Sequence, residues 1–527
     1  MLTSIAYQAQ GTLVVICKLL FKLRMMKKIY ILTTLFFAIG IAGCKKNFLS
    51  QEINPNQPSV ASPQNLLSGA ETISAYIVNG GGGNNYYSVW GVWMGQICPS
   101  GNYVPSATLE TYSFTNASFQ VFVPLFNNLA NYNALIAQTS SSASLAYFTA
   151  IAKIMTAYDY QQLVDNYGNV PYSQALNSSV YLFPAYDSGS AIYDDLLVQL
   201  DKAIALINAN SSATNPGSSD VIFGGNMTSW KKFANTLKLR IAIRQSNITS
   251  KFAALKTSLA GTATEGYLDD NTFATANPGY LASDANGGQQ SPFWLGYGYT
   301  AAGAEIYGHA YYRANSFEVS LLNTYGDARV SQIYAPISGT VTGATLGSTS
   351  NGSNSVVSAF GPGLLISPSM NAVLLSGSEA CFLVSEGDVD GLISTGTAQD
   401  YYQRGITASF VALQVPNAAT AAAAYYTQNV ANVGWAASAA NLQSAIITQK
   451  YIALTGYGFF EVYNEWRRTG YPNLAGARSI KAGALTAAGV PAPYRIYYPS
   501  TEYQTNATAV GALPTVDPFN TKIFWAK

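Results

Sequence analysis

Aromatic and amide side chains carry most of the chemistry this chain can offer. Trp90 and Trp93 stand three residues apart in NNYYSVWGVWMGQICPSGNYVP. On a helix they share a face, where two indoles either stack on a ligand ring or fill a core. Asn102 and Tyr103 close the same stretch between glycine and proline breakers, and Trp294 and Tyr297 sit beside flexible glycines in SPFWLGYGY. These six residues form the candidate ligand platform. Aromatic faces would cover the apolar faces of a ring while amides bond its hydroxyls, and no bond is broken.

Catalysis has little to draw on. His309 is the single histidine and no G-x-S-x-G elbow accompanies it, so it is expected to be structural or solvent-exposed. Gly80 to Gly83 lack the following Lys-Ser/Thr of a phosphate loop and read as a turn. Glu386, Asp388 and Asp390 precede Gly391 in EGDVDG, but Thr397 occupies the twelfth position of a calcium-loop register, so a helix-connecting loop is expected. Arg467 and Arg468 follow Trp466 and suit a helix end, where cations meet the carbonyl end of the dipole. No cofactor is expected. A surface glycosidase would need two carboxylates flanking a cleft, and no pair stands out among the 26 acidic residues.

The segment from Met26 to Cys44 places this chemistry in the cell. Lys27 and Lys28 form a basic start, Ile29 to Ile41 an apolar run, and Ala42 and Gly43 a small-residue site before Cys44. The run is shorter than the roughly 20 residues a membrane-spanning helix needs, so it reads as a signal peptide. Ile41-Ala42-Gly43-Cys44 resembles a bacterial lipobox, which implies lipidation at Cys44. Residues 1–43 are then an upstream extension plus a removed leader, and residues 44–62, with prolines at 55 and 58, a lipid-anchored tether. Cys98 and Cys381 lie beyond the leader, and no pairing between them follows from sequence.

Composition narrows the partners. The whole chain carries a formal +1, but residues 1–43 hold five of its 27 basic residues and no acidic one, which leaves 22 basic against 26 acidic, a formal −4. Nucleic acid is therefore not expected as a partner. Charged residues make up 10% of the chain and aromatic ones 13%, including 37 tyrosines, which suits contact with uncharged polar ligands.

Helices must position these residues. Apolar periodicity predicts helices over Pro63 to Asn79, Phe119 to Ile136 and Leu145 to Leu163, the last with Phe148, Ile151, Met155 and Tyr158 on one face. Ile192 to Ile207 and Trp230 to Ile241 predict two more, with Thr228 or Ser229 as the cap of the second. Paired helices of similar length suggest tetratricopeptide-like hairpins. The segment 251–378 loses periodicity and reads as a loop-rich ligand lobe. Helices return after Glu379, over Ala398 to Leu413 and Ala437 to Arg468, and 476–527 reads as extended. A single domain over 63–527 follows, with its helical scaffold at 63–250 and 379–475.

The chain resembles the SusD/RagB outer-membrane lipoproteins, in their SusD-like branch. The residues that carry the likeness, besides the leader, are YDYQQLVDNYGNVPYSQAL (158–176), YDDLLVQLDKAI (193–204), WKKFANTLKLRIAIR (230–244), CFLVSEGDVDG (381–391), YYQRGITASF (401–410), IITQKYIAL (446–454), VYNEWRRTGYPNL (462–474) and YRIYYPSTEYQTN (494–506). The resemblance implies a mainly α fold of tetratricopeptide-like hairpins packed against a loop-rich lobe. It also implies a non-catalytic role at the cell surface. Such proteins capture an oligosaccharide, or in some members a peptide, and deliver it to a SusC-like TonB-dependent transporter. Ligand contacts in the family come from aromatic loops, so Trp90, Trp93 and Trp294 carry over by position and residue type. Lys45 and Lys46 depart from the acidic residues that often follow the lipidated cysteine.

Overall fold

Ser62 accepts a hydrogen bond from the Asn65 amide (3.2 Å), and Pro63 stands at the first helical position, so the chain enters α1 (Pro63–Val78) through a side-chain cap and a pre-set φ. The computed structural model describes residues 22, 24–25, 61–80, 86–104, 106–119, 121–348, 350–477 and 492–527. It divides into two units, Met1–Ala61 and Ser62–Lys527, and all elements below belong to the second. Cys44 and Gly81 to Gly83 lie outside the described residues.

The first half is built from helical hairpins. After α2 (Tyr86–Trp93) come α3 (Phe122–Thr139) and α4 (Ala146–Tyr167), then α5 (Gly189–Ala209) and α6 (Met227–Arg244), each packed on the one before it from α4 onward, with α1 lying against α3. The α3–α4 turn is tied by the hydroxyls of Thr139 and Thr149 at 2.7 Å. The cap of α6 is Asn226, whose side chain accepts from the Ser229 amide, in place of Thr228 or Ser229. Asn226 has the extended backbone an N-cap needs, and the helix begins one residue after it.

Three two-stranded pairings bring distant segments together: β1 (Ile97–Pro99), β2 (Val170–Pro171), β3 (Tyr186–Asp187), β4 (Ala274–Ala276), β5 (Tyr312–Ala314) and β6 (Ala372–Leu375) pair as β1–β5, β2–β3 and β4–β6, all antiparallel. The segment 251–378 is accordingly irregular but pinned, with short helices between bridges. Beyond it lie α7 (Gly377–Val389), α8 (Ala398–Ala412), α9 (Leu442–Ala453) and α10 (Phe459–Thr469); α7 packs on α8 and α9, and α10 on α2. The single helix expected over Ala437 to Arg468 is thus two. Gly456, at φ +79°, takes a left-handed conformation that a helix cannot continue through. The C-terminal stretch, expected to be extended, makes two short helices, Ser500–Thr505 and Ala507–Gly511, within its described part.

The amphipathic expectation for α4 also changes. Its apolar face is there, but Asp159, Gln161, Asp165 and Asn166 are buried as well, because neighbouring helices cover the other side. Asp165 meets Arg244 (3.4 Å), and Arg244 also pairs with Glu461 and with Glu465 (3.2 Å). Lys450 reaches Glu465 at 2.8 Å, and Arg468 reaches Glu386 at 2.6 Å. Arg467 and Arg468 are therefore structural, joined to α4 and α7. Burial pushes the Glu465 carboxyl up, but Arg468, Lys450 and Arg244 outweigh it and hold it well below the usual carboxylate range. The EGDVDG stretch ends α7 and leads to α8. The Asp388 carboxylate there accepts from the amides of Thr395, Gly396, Thr397 and Ala398, so it orders the turn. Cys98 and Cys381 are buried, and they are not joined in a disulfide.

The architecture is mainly α, with tetratricopeptide-like hairpins packed against a loop-rich lobe.

Candidate functional site

The β1–β5 pair builds the site. Its register sets Cys98 opposite Arg313 and Pro99 opposite Tyr312, so the turn after β1 meets the short helix Tyr307–Tyr311 that precedes β5. The Ser100 amide donates to the Tyr311 carbonyl at 2.8 Å, and the Ser100 hydroxyl donates to Asn354. That anchoring delivers Tyr103 edge-on to two tyrosines, Tyr311 at 5.1 Å and Tyr307 at 5.7 Å between ring centroids.

Tyr307 and Tyr311 lie four apart on one helical turn, and their rings stack at 5.3 Å with 18° between planes. Tyr311 is almost buried, whereas Tyr307 is 66% exposed and Val104 beside it 87%. The three tyrosines line a cavity of about 520 Å³ whose remaining wall includes the hydroxyl-bearing Ser106, Thr108 and Ser118. An exposed aromatic face over a hydroxyl-lined hollow can cover the apolar face of a ring and bond groups at its edge. Among the described residues no carboxylate lines it. Burial raises the Tyr311 phenol above its ordinary value, so it stays a neutral donor.

The six candidate residues part company here. Tyr103 lines the cavity, and Asn102 is exposed next to it, its side-chain oxygen accepting from the Asn354 amide (3.2 Å). Trp90 and Trp93 do not form a surface platform: they are 0% and 1% exposed. Trp90 stacks on Tyr463 at 4.4 Å and 19°, and Trp93 packs on Phe114 and Phe119. Helix α10 lies over α2 so closely that the Phe459 ring would sit 2.9 Å from a Cβ at Gly91, which leaves both indoles in the core. Tyr297 is buried too, against Phe293, Tyr312 and Phe360. Trp294 is half-buried and outside the cavity wall, its indole N–H donating to the Tyr299 carbonyl at 2.8 Å. Sequence reasoning passed over Tyr307 and Tyr311. Their only signal is the spacing of four in IYGHAYYR.

His309 stands behind the tyrosines and is structural. Its Nδ1–H donates to the Tyr297 carbonyl (2.8 Å), leaving Nε2 to accept from the Tyr299 hydroxyl (3.1 Å). Burial lowers its pKa and favours this neutral form. No group of acidic, histidine or cysteine residues suited to holding a metal occurs among the described residues, and no helix among them is long and apolar enough to cross a membrane.

Comparisons with known proteins agree with this architecture. A family of SusD-like proteins, described as starch-binding and associating with the outer membrane, matches residues 55–499. The structure of a chitin-binding SusD homolog from Flavobacterium johnsoniae superposes with a TM-score of 0.72 at 21% identity, over 87% of this chain and 98% of that one. A SusD/RagB family protein from Bacteroides thetaiotaomicron gives 0.69 at 18% identity, over 88% and 99%. A SusD homolog from Bacteroides fragilis gives 0.69 at 22%, over 88% and 99%. At such identities these structures show the fold alone. No curated protein matches. With the family match spanning most of the chain, and the helical hairpins and loop-rich lobe in place, this protein belongs to the SusD-like family.

Proposed function

We propose that this protein is a non-catalytic cell-surface lipoprotein that captures an oligosaccharide in the Tyr103–Tyr307–Tyr311 cavity. Held at the outer membrane through a lipid on Cys44, it passes the glycan to a SusC-like TonB-dependent transporter. The observation that carries this reading is the exposed Tyr307 ring, stacked on Tyr311 and facing a hollow lined with hydroxyls. Ring stacking and hydroxyl bonding are what a sugar offers, and a cavity wall without carboxylates favours holding the glycan over cleaving it. The family description and the chitin-binding relative point to the same class of ligand.

Calorimetry with starch and chitin fragments tests it. Replacing Tyr103 and Tyr307 together by Ala should weaken binding at least about tenfold, the value of roughly 1.4 kcal/mol in lost stacking. Full affinity in that variant would move the site elsewhere. Binding of peptides but of no saccharide would replace the ligand class.

A further inference from the structure

A second cavity, of about 380 Å³, shares no lining residue with the tyrosine cavity. Most of its wall is apolar: Phe122 and Phe126 from α3, Pro171 from β2, and Leu176, Leu182 and Pro184 from the loop that leads to β3. That loop carries the apolar surface out into water, with Val180, Leu182 and Phe183 exposed by 65%, 72% and 63%. The loop is nonetheless held in place. The Ala185 amide donates to the Gln174 side chain at 2.9 Å, and the Asn506 Nδ2 donates to the Pro184 carbonyl at 2.9 Å. Contiguous exposed apolar residues beside a lined groove mark a place where something binds.

The remaining wall, from the helix Ser500–Thr505 and the residue after it, is polar. Asn506 lines the groove and is 5% exposed. Its Nδ2 is committed to Pro184, which leaves Oδ1 as the atom turned elsewhere, and that oxygen is buried without a hydrogen-bond partner. The Thr501 hydroxyl, in the same wall, is buried and unpartnered too. A buried acceptor left unmade costs more than a bond to it gains, so both atoms favour a ligand that brings an N–H and a carbonyl together.

We propose that this groove binds an extended apolar segment of another protein, one of whose peptide units gives its N–H to Asn506 Oδ1 and accepts from the Thr501 hydroxyl. Phe126, Leu182 and the two prolines cover its side chains. An acyl chain would suit the same wall but leave both polar atoms unpaired, and a sugar would set its hydroxyls against proline and leucine. A short free peptide would bring a terminal carboxylate to a wall that holds the Glu502 carboxylate and, among the described residues, no cation. The segment is therefore internal to its chain. This site is separate from the oligosaccharide reading and stands without it.

The test is calorimetry of the full chain with acetylated and amidated pentapeptides of Leu, Val, Pro and Phe. Each is paired with its free-carboxylate form and with versions N-methylated at single positions, and laurate is the acyl probe. At least one blocked peptide should bind, should lose about tenfold on N-methylation at one position, and should exceed its free-carboxylate form. In Asn506→Ala that N-methylation should cost nothing. Leu182→Ser, at an exposed position, should weaken peptide binding about tenfold with thermal melts and glycan affinity unchanged, and it serves where the asparagine variant fails to fold. Peptide binding that survives both N-methylation and Leu182→Ser would overturn the proposal. So would binding of laurate without any peptide, or binding of none of these probes.

Discussion

Tyr307 and Trp90 are both large aromatics close to the β1 and β5 region, and their surroundings give them opposite roles. Trp90 has Tyr463 on one face and Trp93 and Phe460 at its edges. Its replacement by Ala should cost about 3–5 kcal/mol of stability in denaturant melts, because it empties a packed site. Tyr307 is mostly exposed, with Tyr311 stacked on it and Tyr103 at a T-shaped angle. Tyr307→Ala should shift the same melts by under about 0.5 kcal/mol, as an exposed substitution does, while lowering glycan affinity in calorimetry. Tyr103 and Asn102 could be picked out from their place among breakers, since such turns lie at surfaces. Tyr307 and Tyr311 could not, because tyrosines are abundant in this chain and spacing alone does not mark an exposed ring.

At the scale of elements, α4 shows how burial alters a carboxyl. Asp159 is fully buried and accepts bonds from Ser74 (3.1 Å) and Asn128 (2.9 Å), and it makes no ion pair among the described residues. Burial raises its pKa from 3.8 to about 7, and those two bonds reduce the shift only in part. Below about pH 4 the group is protonated folded and unfolded alike. Between that value and 7 the folded state binds more protons, so its contribution to stability falls as pH rises, by an amount on the order of 4 kcal/mol in total. Asp159→Asn should remove that slope: chemical denaturation from pH 4 to 8 should show the variant gaining on the parent chain as pH rises. Helix α10 carries the opposite case. Glu465 is shared by Arg244, Lys450 and Arg468, so Glu465→Gln should cost about 3–5 kcal/mol by leaving buried cations short of a partner. Thermal melts would show a small change if the network were dispensable.

For the molecule as a whole, the proposed function predicts that anchoring and capture can be separated. Cys44→Ser should leave calorimetric affinity unchanged, release the protein from the membrane fraction and impair glycan uptake; undiminished uptake would remove the anchor from the mechanism. Much of the architecture was legible in the chain alone. Helices α1, α3, α4, α5 and α6 follow from apolar residues at helical spacing, and the loop-rich lobe from the loss of that spacing. These are local properties, set by backbone preference and by neighbours one turn away. What only the tertiary structure decided is which faces remain open. Trp90 and Trp93 share a helical face, as their spacing dictates, but α10 covers it from far along the chain. Tyr307 stays mostly exposed where β1 and β5 pair, with the Tyr103 ring set at a T-shaped angle to it. Exposure depends on contacts between segments remote in sequence, which no local spacing records.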